Sequence, residues 1–202
     1  CGDIVAKLFR QGFDNLNDRT LIAFLGHADR RVRQQAQFEL ARRKKWNALR
    51  STANNRKAHQ LTRLHALWGM GQIAAKSSGH AGMFARFLND PDPILRANAA
   101  RIIGDLGTPV GKSPLIKALQ DKALQVRSLA AIALGKTAKP GDTSAINALF
   151  RLASGNQDIV VRHSCLAALE QLKAELAASA RSISKSREER LVAVLVLRRL
   201  AS

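Results

Sequence analysis

The feature that most constrains this chain is a recurring arginine. Arg33, Arg63, Arg96, Arg127, Arg162 and Arg190 follow one another at intervals of 30, 33, 31, 35 and 28 residues. Four of them sit in one short pattern: an apolar residue, the arginine, two variable residues, a small residue and, four further on, an apolar one. These are Val32-Arg33 with Ala36 and Leu40, Leu95-Arg96 with Ala99 and Ile103, Val126-Arg127 with Ala130 and Leu134, and Val161-Arg162 with Cys165 and Leu169. Two looser copies are Thr62-Arg63 with Ala66 and Met70, and Glu189-Arg190 with Ala193 and Leu197. Self-similarity at such a period marks stacked repeats. The flanking apolar residues and the small one between them share a helix face. The small residue lets a neighbouring helix approach closely, so Cys165 reads as a small buried hydrophobe and not as a nucleophile.

A second amphipathic stretch precedes these helices: Leu21 to Leu25, Met83 to Leu88, Leu115 to Leu119 and Ile146 to Phe150. Each repeat is therefore a helical hairpin that cannot bury its apolar face alone and must stack on the next. Asp29, Asp92 and Asp158 fall four residues before their arginines, at the N-cap, where a carboxylate accepts backbone N–H bonds. Ser186 takes that position in the last repeat, and Pro93 follows Asp92 at the first helical position. Gly104, Gly107, Gly135 and Pro140-Gly141 mark helix ends and turns. The second repeat is irregular, with His59 in place of the cap Asp and a ragged turn at Asn54-Asn55, so the poorest order is expected there. The expectation is an all-α, right-handed α-solenoid of about six hairpins over residues 16–202, behind a short extended N-terminal segment, 1–15.

The Asp…Val-Arg…Ala…Leu-Gly unit resembles a HEAT repeat of the short, PBS-lyase HEAT-like type. The resemblance implies a structural ladder of Asp and Arg between adjacent repeats. By position the ladder falls on Asp29, Asp92 and Asp158 with Arg33, Arg63, Arg96, Arg127, Arg162 and Arg190. A narrower resemblance is carried by Cys1-Gly2-Asp3-Ile4, by Phe24 to Ala41 and by Arg63-Leu64-His65-Ala66-Leu67-Trp68-Gly69-Met70-Gly71-Gln72. These stretches are similar to the middle of large planctomycete-type haem-binding, dehydrogenase-like proteins, in which a β-propeller, HEAT repeats and a cytochrome c module follow one another. That resemblance implies that Asp3 to Phe9 closes a propeller strand, that haem c belongs to the parent and not to this segment, and that the protein is bacterial and extracytoplasmic (periplasmic). The chain begins with Cys1 instead of Met, and is expected to be a fragment or a processed product.

Charge decides which partners to consider. Lys and Arg number 33 against 15 Asp and Glu, a net of +18, and half of that excess precedes residue 64. Arg30, Arg31, Arg42, Arg43, Lys44, Lys45 and Arg50 are the candidate polyanion contacts. Nucleic acid is thus one class of partner, through a glycosylase-like solenoid that cradles duplex DNA, although no Asp can be nominated for catalysis. With no Tyr and two Trp, stacking of single strands is disfavoured. The repeat arginines read either as a phosphate-binding row or as ladder residues paired with the cap aspartates, and the spacing of four favours the ladder. Five scattered histidines form no H-x-x-x-H pair, Cys1 and Cys165 make no zinc or C-x-x-C-H site, and no apolar run spans a membrane. The sequence points to a non-catalytic scaffold for modules of the same chain or for a protein partner. A chromophore-lyase-like role is implied by the repeat type alone.

Overall fold

The computed structural model describes residues 2–155 and 158–201. Among them the regular elements are helices and none is a strand. The chain divides into two compact units, Cys1–Gly79 and His80–Ser202. The first holds α1 (Gly2–Gln11) and two hairpins, α2 (Asp18–Phe24) with α3 (Arg30–Arg42) and α4 (Trp46–Asn54) with α5 (Gln60–Ala74). The second holds four hairpins. A run of 3₁₀ turns over Ser78–Asn89 leads into α6 (Pro93–Leu106), and α7 (Lys112–Ala118) pairs with α8 (Leu124–Thr137). Then come α9 (Thr143–Gly155) with α10 (Ile159–Gln171), and α11 (Glu175–Arg181) with α12 (Arg187–Leu200). The fold is all-α and built of solenoid-type hairpins, as the repeat requires. The stretch Met83 to Leu88 is 3₁₀ and not α, because Gly79 and Gly82 weaken the helix just before it.

The N-terminal segment 1–15 is not extended, and the propeller strand expected over Asp3 to Phe9 is corrected to a helix, α1. The physical reason is legible: Ile4, Val5, Leu8 and Phe9 recur at helical spacing, whereas a half-buried strand needs alternation. Phe9 then meets Phe13 edge-on, with ring centroids 5.4 Å apart. Cys1 lies outside the described residues.

The repeat face does what its pattern demands. Ala36, Ala66, Ala99, Ala130, Cys165 and Ala193 are all wholly buried. Leu40, Met70, Ile103, Leu134 and Leu169 are buried beside them, and Leu197 is half-buried. In the second unit α6 packs on α8 and α8 on α10. A Cβ on Gly104 would stand 2.7 Å from Ala133 Cα, and one on Gly135 2.8 Å from Ala168 Cα. These are backbone contacts that no rotamer change relieves, so glycine is required there by space.

The caps form where they were expected. Asp29, Asp92, Asp158 and Ser186 accept the N–H groups of Arg31, Ile94, Val161 and Glu189. The second repeat is not ragged: His59 Nδ1 accepts the Leu61 N–H at 3.2 Å, and Asn55 Oδ1 accepts that of Lys57 at 3.1 Å.

Candidate interaction surface

The repeat arginines lie at the start of the second helix of each hairpin, and four of them make one recurring contact. Arg33 Nη1 donates to the carbonyls of His27 and Ala28, 2.7 and 2.8 Å away. Arg96 Nη1 donates to those of Asp90 and Pro91, and Arg190 Nη1 to those of Ser184 and Lys185. Arg127 Nη1 reaches the Asp121 carbonyl at 3.2 Å. Each guanidinium folds back over the turn that precedes its own helix and satisfies carbonyls five or six residues earlier. The same turn is closed from within. His27 Nδ1, Asp90 Oδ1, Asp121 Oδ1 and Ser184 Oγ accept the N–H of Asp29, Asp92, Ala123 and Ser186, in each case two residues on. These acceptors six residues before the arginine were missed in the sequence, because His, Asp and Ser share no pattern there.

The ladder as expected is corrected at its first rung. The Asp29 carboxylate pairs with Arg31 at 2.7 Å and not with Arg33, and these bonds hold its pKa down to about 2. An N-cap carboxylate turns to the N–H groups of the first turn. The arginine four residues later reaches the other way, over the preceding loop. A true rung does form, with a different carboxylate: Arg96 Nε and Nη2 donate to both oxygens of Asp121, 2.7 and 2.8 Å away. Those bonds hold Asp121 below the usual carboxylate range. Asp121 is free for this because it stands two residues before the N-cap position, which Ala123 fills without a side-chain bond. Arg63 is buried, with Nε on the Ala53 carbonyl at 2.9 Å. Arg162 is half-buried in the first turn of α10.

Arg33 carries the other rung. Its Nε donates to His65 Nε2 at 3.2 Å, and His65 Nδ1 meets Gln37 Oε1 at 2.7 Å. Arginine only donates, so His65 accepts at Nε2 and carries its proton on Nδ1. All three residues are buried. Burial, then the Arg33 charge, push the His65 pKa down to about 4. Trp68 packs edge-on to the ring, centroids 5.0 Å apart.

The candidate polyanion contacts are largely spent inside the molecule. Arg31 pairs with Asp29, Arg42 and Arg43 with Glu39, and Arg43 and Lys45 with Asp18. Arg43 also binds the carbonyls of Phe13, Asp14 and Leu16, tying the segment after α1 to the end of α3. Arg30, Lys44 and Arg50 are exposed and form no ion pair among the described residues. A cleft of about 450 Å³ in the same unit is lined by Phe9, Phe13, Phe38 and Arg42.

The second unit presents a different edge. Leu124, Ile159 and Val160, in the first turns of α8 and α10, are 45%, 78% and 61% exposed. Pro93 and Ile94 occupy the same place on α6 and are exposed and half-exposed. A groove of about 750 Å³ is lined by Arg86, Leu88, Lys117 and Asp121, and a smaller one of about 320 Å³ by residues of α7, α8 and α9. Cys165 is wholly buried, which pushes its thiol up to about 12. Among the described residues there is no group of three His, Cys, Asp or Glu able to hold a metal ion, and no helix long and apolar enough to cross a membrane.

Comparison with known proteins agrees with the repeat. Residues 81–170 match the family model of HEAT repeats. The chain is similar to the phycocyanobilin lyase subunit alpha of Synechococcus elongatus, 32% identical over 105 residues. That match covers 48% of this chain and 37% of the relative, so the chain spans little more than a third of that protein's length. A solved complex of CpcE and CpcF of phycocyanin lyase from a Nostoc species aligns over 91% of this chain and 87% of that one, at 17% identity and a TM-score of 0.41.

Proposed function

We propose that this chain is a non-catalytic HEAT-repeat scaffold that holds a protein partner along the turn edge of its second unit. The apolar row at Pro93, Ile94, Leu124, Ile159 and Val160 carries the proposal. Equivalent positions on helices packed side by side lie about 8–10 Å apart. The row is thus one patch, on an edge where solvation alone would favour polar residues, and such patches mark interfaces. The duplex-DNA reading has lost four of its seven cations to internal ion pairs. The haem-binding parent has lost the strand on which its first residues rested. Neither is proposed for this chain.

The test is the triple variant Leu124→Ser, Ile159→Ser, Val160→Ser. All three side chains are exposed, so the variant is expected to keep the wild-type melting temperature and to lose the protein that wild-type chain retains from an extract of its source cells. Equal recovery of that protein would contradict the proposal.

A second reading draws on the similarity to the phycocyanobilin lyase subunit: the chain serves in a lyase-like assembly that handles such a chromophore. It would hold the chromophore and not bond to it through Cys165, which is sealed in the core. Mixing the chain with phycocyanobilin is then expected to shift the visible absorption saturably. An unchanged spectrum would count against it.

A further inference from the structure

The second unit repeats the arginine lock with one piece missing. At Arg96 the Nε–Nη2 edge is filled by the two oxygens of Asp121, while Nη1 holds the turn carbonyls. Arg127 stands at the same place in the next hairpin, and its Nη1 also holds a turn carbonyl. Its Nε–H, however, is buried and has no acceptor among the described residues. The nearby Asp121 carboxylate turns to Arg96 and makes no bond to this Nε–H. Asp121 stands six residues before Arg127, and the residue six before Arg162 is Asn156, a neutral side chain that lies outside the described residues.

Arg127 lines the smaller groove, about 320 Å³, together with Arg151. Ile116, Leu119, Ala148 and Leu152 supply apolar wall, and no acidic residue lines it. Arg151 is exposed and forms no ion pair among the described residues. The groove therefore offers two arginines, one of them with a buried donor that has no acceptor among the described residues, beside apolar surface. A buried unsatisfied donor is costly, and a carboxylate is the acceptor that fits a guanidinium edge with two parallel bonds. Phosphate would be poorly served by the apolar wall.

We propose that this groove is a binding site for a carboxylate carried on a short apolar body, seated on Arg127 and steadied by Arg151. The carboxylate enters over Nη2 and takes the Nε–H as the side chain rolls toward it, reproducing for Arg127 what Asp121 does for Arg96. The group can come from a free carboxylic acid or from an acidic side chain of a protein.

The test titrates the ¹⁵N-labelled full chain with butyrate, with butyramide, with inorganic phosphate and with the blocked peptide acetyl-Leu-Glu-Leu-amide. Butyrate is expected to move the Arg127 Nε–H and Gly155 N–H resonances saturably, at a half-saturation of about 1–10 mM. Butyramide is expected to leave them in place. Tighter binding of the peptide than of butyrate identifies a protein side chain as the source, and tighter binding of butyrate identifies a free acid; both support the site. Arg127→Gln is expected to weaken butyrate about tenfold or more. Because Arg127 also locks a turn, two further variants stand beside it: Arg151→Gln, at an exposed position, and Ala148→Leu, which fills the groove. Both are expected to bind at least about threefold more weakly with unchanged helical circular dichroism. The proposal is overturned by the absence of a saturable shift, by an equal response to butyramide or phosphate, or by wild-type affinity in Arg151→Gln and Ala148→Leu together. Binding is read on the chain alone, so failure here leaves the partner edge at Leu124 and Ile159 untouched, and the converse holds.

Discussion

In the first unit Arg33 reaches from α3 to α5 and finds a neutral acceptor, the Nε2 of His65. In the second, Arg96 reaches from α6 to the turn before α8 and finds a carboxylate, Asp121. The arginines occupy the same position in the repeat and lock their own turns alike. What differs is the far end of the rung. Arg33 and His65 are both buried, with Gln37 sealing the ring from its other side. A carboxylate there would have to surrender its hydration, a cost that often exceeds the Coulombic gain. The Arg96–Asp121 side chains keep 16% and 11% of their surface in water, and an ion pair is tolerated. The repeat thus fixes the cation and leaves the acceptor to the local dielectric.

The strongest way to break this comparison is to remove each arginine. Arg33→Ala leaves His65 Nε2 and two carbonyls without their donor and is expected to cost about 4 kcal/mol. Arg96→Ala leaves a partly solvated Asp121 and is expected to cost about 2 kcal/mol. Urea unfolding of the two variants measures both, and equal costs would remove the distinction.

Acid separates the units next. His65 in the folded chain has its pKa pushed down from 6.5 to about 4. Above pH 6.5 it is neutral whether folded or not. As the pH falls from 6.5 to 4 the unfolded chain takes up a proton that the folded one refuses. Stability is therefore lost across that window, by about 3 kcal/mol, and the loss levels off below it. Asp121 is lowered from 3.8, so the stability it contributes is intact above pH 3.8 and is lost only below. Amide protection factors, which remove the intrinsic slowing of exchange in acid, are expected to fall in α5 well before α8 between pH 7 and 4.5. A simultaneous loss would contradict the assignment.

Helix approach sharpens the contrast. Gly104→Ala drives a methyl into the Ala133 backbone and is expected to cost about 2 kcal/mol. Gly69→Ala, in the first unit, meets Leu49 methyls at 3.1 Å, which can turn aside. There the gain in helix propensity, about 1 kcal/mol, offsets the crowding, and the change is expected to be near neutral. A modest gain belongs to a missing cap: Ala123→Ser at the head of α8 is expected to add up to about 1 kcal/mol. Thermal unfolding reads both.

Much of this was legible before any coordinates. The six small residues of the pattern are wholly buried, and the four side-chain caps fall where Asp29, Asp92, Asp158 and Ser186 stand. Helix faces and caps are written in residue type and spacing. The acceptors of the arginines are not, because four of the locks close on backbone carbonyls, which every residue carries. The Asp121 rung was hidden by its register, two residues before the cap position being watched. The groove at Arg127 could not be foreseen either, since a donor's missing partner shows only once its neighbours are placed. The helix α1 was legible in its own spacing, and was obscured only by the likeness drawn for residues 1–4.

The claim that the first rung is neutral is tested most directly by the ring ¹⁵N resonances of His65, followed from pH 7 to pH 3. A proton on Nδ1, a bare Nε2 and a titration midpoint near 4 are expected. A midpoint near 6.5, or a proton on Nε2 at neutral pH, would contradict it.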